Sequence, residues 1–177
     1  MENINNYIIE KLNHLKAMGE NSKKNYANAI HIVKNEMMKN AFLQFAKERA
    51  LDVTELLSII KSLGGNFKET TGIQGTSQIT GTDADSASTL VDQNIIINGC
   101  VMCEEAAMHA YKEALTGNKI FGSIRDILTY QLDGINNALK SLRTYSRKAS
   151  FENSGKSIIE QSKEDKKAEK VNRNAIY

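Results

Sequence analysis

The sequence predicts an all-α protein, a four-helix bundle built as two antiparallel hairpins joined by one long crossover loop. Three observations predict it. The 177 residues include no proline and are 41% hydrophobic, a composition that leaves long helices uninterrupted. Four stripes of apolar or small residues recur at alternating steps of three and four. Gly64-Gly65 and Gly117-Asn118 close two of those stripes with the residues that best end a helix.

The first stripe runs through Ile4, Ile8, Leu12, Leu15, Gly19, Ser22, Tyr26, Ile30 and Val33. After Lys34-Asn35 the second runs through Met38, Phe42, Phe45, Arg49, Val53, Leu56, Ile60 and Leu63. So short a join makes the pair an antiparallel hairpin. Residues 66–88 are rich in Gly, Thr, Ser and Gln without helical period, and they read as the crossover. A third stripe, Ile97, Val101, Glu104, Met108, Tyr111 and Leu115, leads tightly into a fourth, Ile120, Ile124, Ile127, Gln131, Ile135, Ala138, Leu142 and Tyr145. Two hairpins and one long crossing give the ferritin-like connectivity. The bundle occupies residues 1–148, and the polar stretch 149–177, with mixed charge at Lys163 to Lys170, reads as a mobile tail.

Composition narrows the function. A formal charge of +2 gives no overall field for nucleic acid, and the acidic residues of the tail dilute its lysines. Apolar runs such as Ile95 to Ile97 fall far short of the roughly 18 residues that cross a bilayer. The opening MENINNYIIEKLNHL has neither a basic leader nor a continuous apolar core, so no secretory signal is expected. Two cysteines three apart suit a reducing cytoplasm better than a disulfide scaffold.

The residues with chemistry are few. Cys100 and Cys103 form a lone CxxC, which reads either as a redox pair or, inside a helix, as small core residues. In EEAAMHAYKEAL, residues 104–115, Glu105 and His109 stand four apart. Two ligands are too few to hold a metal alone, and such polar pairs are common on solvated helix faces. The same stretch echoes the first helix: Glu20, Tyr26, Ala29 and Ile30 are spaced as Glu105, Tyr111, Ala114 and Leu115. GIQGTSQITG lacks the lysine and helix start of a phosphate loop.

Taken in order, GENSKKNYANAI, NAFLQFAKERALDVTELLSIIKSLGG, CEEAAMHAYKEALTG and ILTYQLDGINNALKSL resemble the bacterial DUF2383 family of the ferritin-like superfamily, over roughly residues 5–145. The chain departs from that family in its crossover, which has no tryptophan. The resemblance implies a pseudo-twofold relating the hairpins. In metal-binding members of the superfamily, a Glu on each of two helices meets an ExxH on each of the others. It would set the lone glutamates at Glu20 and Glu105. The second helix, however, offers Glu48, Asp52 and Glu55 without histidine, and the fourth only Gln131 and Asp133.

If a metal is bound, its candidate ligands are Glu20, Glu48, Asp52 and Glu105. Arg49, on the apolar stripe, is a fixed cation that replaces the charge a metal would bring. The expectation is therefore a degenerate metal site with no cofactor, and a central polar layer of Glu20, Arg49, Glu104, Glu105 and Gln131. Such a bundle reads as a non-enzymatic interaction or structural protein of the bacterial cytoplasm, acting through itself or a protein partner. The alternatives are a metal-binding oxidase or store, and a redox sensor using Cys100 and Cys103.

Overall fold

The computed structural model describes residues 4–66 and 93–174, with side chains described as far as Lys148. Residues 67–92, which hold nearly all of the expected crossover, lie outside them. The protein is all-α. Four helices, α1 (Ile4–Ile32), α2 (Glu36–Ser62), α3 (Gln93–Leu115) and α4 (Gly122–Asn174), account for the described chain, and no strand occurs among the described residues.

Local chemistry fixes the ends of these helices. Asn35 caps α2: its side-chain oxygen accepts from the Met38 N–H at 3.1 Å, which satisfies one of the unpaired donors of the first turn. At the other end Leu63 is followed by Gly64 at φ 79°. Gly64 N–H donates to the Lys61 carbonyl and Gly65 N–H to the Ile60 carbonyl, the paired bonds of a left-handed stop. The second glycine is required by space, since a Cβ there would meet Ile9 Cγ2 at 2.8 Å. Helix α3 stops at Gly117, φ 85°, and Arg125 of α4 donates to the Leu115 carbonyl at 3.0 Å, placing positive charge where the helix dipole is negative.

Helix α1 packs against α2 and α3, and α4 packs against the same two; neither α1 with α4 nor α2 with α3 meets backbone to backbone among the described residues. The helices therefore surround a common core with two diagonals. Lys11 pairs with Glu113 near one end of α1, and the Lys34 N–H beyond its other end donates to Gln93 at the start of α3. On the second side Gln131 reaches Glu55 while Tyr145 stacks edge-on against Phe42. Two apolar clusters fill the interior. One gathers Leu12, Leu15, Leu56, Ile60, Leu128 and Ile135; the other gathers Tyr26, Val33, Phe42, Ile96, Ile97 and Leu142.

Helix α4 continues past its apolar stripe. Its backbone stays helical to Asn174, 53 residues in all. No proline interrupts it, and from Lys156 onward the sequence is dense in Lys and Glu with opposite charges three or four apart. Those are the local terms that favour helix.

Close approach of α1 to α2 rests on Gly19, where a Cβ would stand 2.8 Å from Val53 Cγ2. Gly19→Leu should therefore destabilise the protein by about 2 kcal/mol or more, the upper part of the range for overpacking, although leucine is the better helix former. Thermal or urea unfolding checks this, and Gly19→Leu combined with Val53→Ala should recover part of the loss.

Candidate functional site: a buried ionic layer

Between the two apolar clusters the core turns polar. Ser22 from α1, Arg49 from α2, Glu104 from α3 and Gln131 from α4 are all buried; Arg49 is 2% exposed and Glu104 fully enclosed. Each lies on the inward stripe of its helix. An arginine and a glutamate in such a position are costly unless they meet.

They meet across a diagonal. Arg49 Nη1 stands 3.8 Å from Glu104 Oε2 and 3.3 Å from Asp52 Oδ2, while Nη2 stands 3.9 Å from Glu48 Oε2. The guanidinium rests against α4 at Gly134, where a Cβ would lie 3.1 Å from Nη2. A side chain there would crowd the cation, so the glycine makes its room. Beside it, Tyr111 donates to Gln131 Oε1 at 2.7 Å, and Gln131 Nε2 donates to Glu55 at 2.8 Å, linking α3, α4 and α2.

Burial raises the Glu104 pKa from its ordinary value, against the opposing pull of Arg49, Ser22 and Tyr26. Asp52 is pushed up to about 6 by burial, with Arg49 opposing and Glu104, Glu48 and Glu55 adding to the rise. Arg49 itself is depressed by burial, but the Glu104 and Asp52 carboxylates outweigh that effect and hold it above its ordinary value. The cation is thus permanent and the two inner carboxyls are the groups that yield protons. Tyr26 is also driven well upward, by burial and then by Glu104.

The expected layer divides. Arg49, Glu104 and Gln131 come together in the core, while Glu20 and Glu105 each form an ion pair of their own. Glu20 pairs with Lys16 one turn back at 3.0 Å, and Glu105 pairs with Arg143 at 2.7 Å on a half-exposed face between α3 and α4. The cause is helical phase: Glu104 takes the inward position and turns the next residue outward. Of the metal candidates, Asp52 and Glu48 border the layer at Arg49. Asp52, Glu55, Ser22 and Gly134 complete it instead, and only the alignment of Ser22 and Asp52 near the inward stripes hinted at this. Lys16, 4% exposed, was also unanticipated.

The donor set does not fit a dinuclear metal centre. Among the described residues no three His, Cys, Asp or Glu side chains gather in a metal-holding group. All three histidines are exposed, and a guanidinium stands among the carboxylates that would have to neutralise the ions. Cys100 and Cys103 are free and buried. Burial pushes the Cys100 thiol up to about 12 and raises Cys103 as well, so neither supplies a thiolate readily at neutral pH.

Two outcomes follow. Arg49→Leu should cost about 3 kcal/mol or more, because it leaves Glu104 buried without its cation, and Arg49→Leu with Glu104→Leu should regain most of that loss in chemical denaturation. The second concerns pH. Because the folded pKa of Asp52 lies above its unfolded value, the folded state binds the extra proton; stability is greatest below about pH 4 for this group and is lost as pH rises through about 6. The loss amounts to roughly 3 kcal/mol. Asp52→Asn should flatten that part of a curve of unfolding free energy against pH between about 4 and 7.

None of the curated proteins compared with the chain matches it. One family does: the model of the domain of unknown function DUF2383 matches residues 7–117, which covers α1, α2 and α3 with the Arg49–Glu104 pair inside it. The chain belongs to the DUF2383 family.

Proposed function

We propose that this protein is a non-enzymatic scaffold of ferritin-like topology, in which a permanent ionic layer occupies the place of a metal centre, and that it acts by associating with itself or a protein partner in the bacterial cytoplasm. The observation that carries the reading is Arg49, buried between Glu104 and Asp52 at the middle of the helices. A guanidinium cannot leave its proton and brings the charge balance that ions would otherwise supply. It also repels a second cation brought to the same carboxylates.

The topology has its own support. The contacts of Lys11 with Glu113 and of Lys34 with Gln93 set α1 and α3 in opposite directions, and Phe42 with Tyr145 and Glu55 with Gln131 do the same for α2 and α4. Two hairpins with a long crossing between α2 and α3 satisfy those pairings. The sequence echo agrees: Tyr26 and Tyr111 are both buried beside the layer, Ala29 and Ala114 are both in the core, and Glu20 and Glu105 both form ion pairs outside it. Two buried free thiols suit a reducing compartment.

Elemental analysis of protein purified without chelator should find no stoichiometric iron, manganese or zinc, and Fe(II) in air should oxidise no faster with the protein than without it. Stoichiometric metal that disappears in both Asp52→Asn and Glu104→Gln would establish the oxidase or storage reading instead. Sedimentation over a range of concentrations tests the association itself.

A further inference from the structure

The ionic layer is unfinished by the protein alone. Around the Arg49–Glu104 pair, both Glu104 carboxylate oxygens, Asp52 Oδ2, Arg49 Nε, Ser22 Oγ and Tyr26 Oη are enclosed and make no hydrogen bond of full geometry within the chain, although the Ser22 and Tyr26 hydroxyls lie close enough to Glu104 to favour its charged form. Ion-pair contacts at 3.3 and 3.8 Å neutralise charge without supplying hydrogen bonds of good geometry. Six such atoms in one place are uncommon in a folded core, where nearly all buried polar groups are bonded.

We propose that this layer is a built hydration site, in which internal water bridges Glu104 and Asp52 to the hydroxyls of Ser22 and Tyr26 and to Arg49 Nε. The chemistry of the six atoms selects the ligand. Glu104 and Asp52 offer acceptors; Ser22, Tyr26 and Arg49 offer donors. A metal ion would satisfy the carboxylates but leave the N–H and hydroxyl protons facing it, with Arg49 repelling it. An anion would satisfy the donors and face two carboxylates. An apolar molecule would satisfy none. Water both gives and receives, and its ordinary coordination of two to four bonds suits a site with donors and acceptors interleaved.

The site is also closed on the right sides. Tyr26 stacks near Phe42 and Phe45, at ring separations of 5.8 and 5.4 Å, which screens the layer toward the second apolar cluster. Asp52, with a side chain 14% exposed, is the member nearest to solvent. Water bound here should therefore be long-lived and still exchange past Asp52.

Magnetic relaxation dispersion of water, recorded on the full chain at neutral pH, tests the inference. The parent should show long-lived internal water, and water cross-relaxation should reach the Tyr26 ring and the Ser22 methylene. Tyr26→Phe and Ser22→Ala each remove one hydroxyl, and each should lower the dispersion amplitude, whereas Ser62→Ala at the exposed end of α2 should not. Should Tyr26→Phe fail to fold, Ser22→Ala decides. A parent without long-lived water, or an amplitude that both layer variants leave unchanged, would overturn the proposal. So would sodium relaxation that responds to Glu104→Gln, since that would assign the site to a cation.

Discussion

The ion pair between Arg49 and Glu104 is the constraint on which the rest of the core depends. These residues sit on α2 and α3, the diagonal helices whose backbones do not touch. Apolar packing joins each helix to its neighbours, but a bundle assembled only from neighbour contacts can shear or change register at little cost. A charge pair through the centre penalises any displacement that separates it, because each partner would then be buried alone. Net stability and specificity part company here. A hydrophobic replacement of both residues should leave the fold about as stable, yet it removes a charge pair that depends on how α2 is placed relative to α3.

Much of the fold was legible because helices advertise themselves by period. The stripes beginning at Ile4 and Met38 and the stop at Gly64-Gly65 locate α1 and α2 to within a few residues, since burial, capping and glycine conformation all act locally. The start of α3 was less legible: Asn94, Asn98 and Gly99 blur the pattern, and the helix begins at Gln93, ahead of the first residue of the stripe. How far α4 continues was less legible, because a polar segment without an apolar stripe looks like a tail, while helix propensity needs no core to express itself.

The site was half legible. Arg49 on an apolar stripe signals a buried cation from sequence alone, since no other reason puts arginine there. Both Glu104 and Glu105 were expected in the layer; telling them apart requires the helical phase to within one residue, and the echo with α1 falls on Glu105. The register that lays Tyr26 on Tyr111 also lays Gly19 on Glu104. In α1 that inward position is vacated so that Val53 can approach; in α3 it carries the carboxylate that answers Arg49. The repeat is thus kept at its flanks and broken at its centre, and a break of that kind is invisible until both helices are in place.

The length of α4 has a consequence of another sort. Near Phe42 and Asn98, which lie close to the starts of α2 and α3, α4 has reached only Tyr145 and Ser146. At 1.5 Å per residue, the backbone from 149 to 174 adds about 40 Å of continuous helix. Along that helix the backbone sets the spacing of the residues from one another, one turn for about every 5.4 Å, where a coil would leave it free.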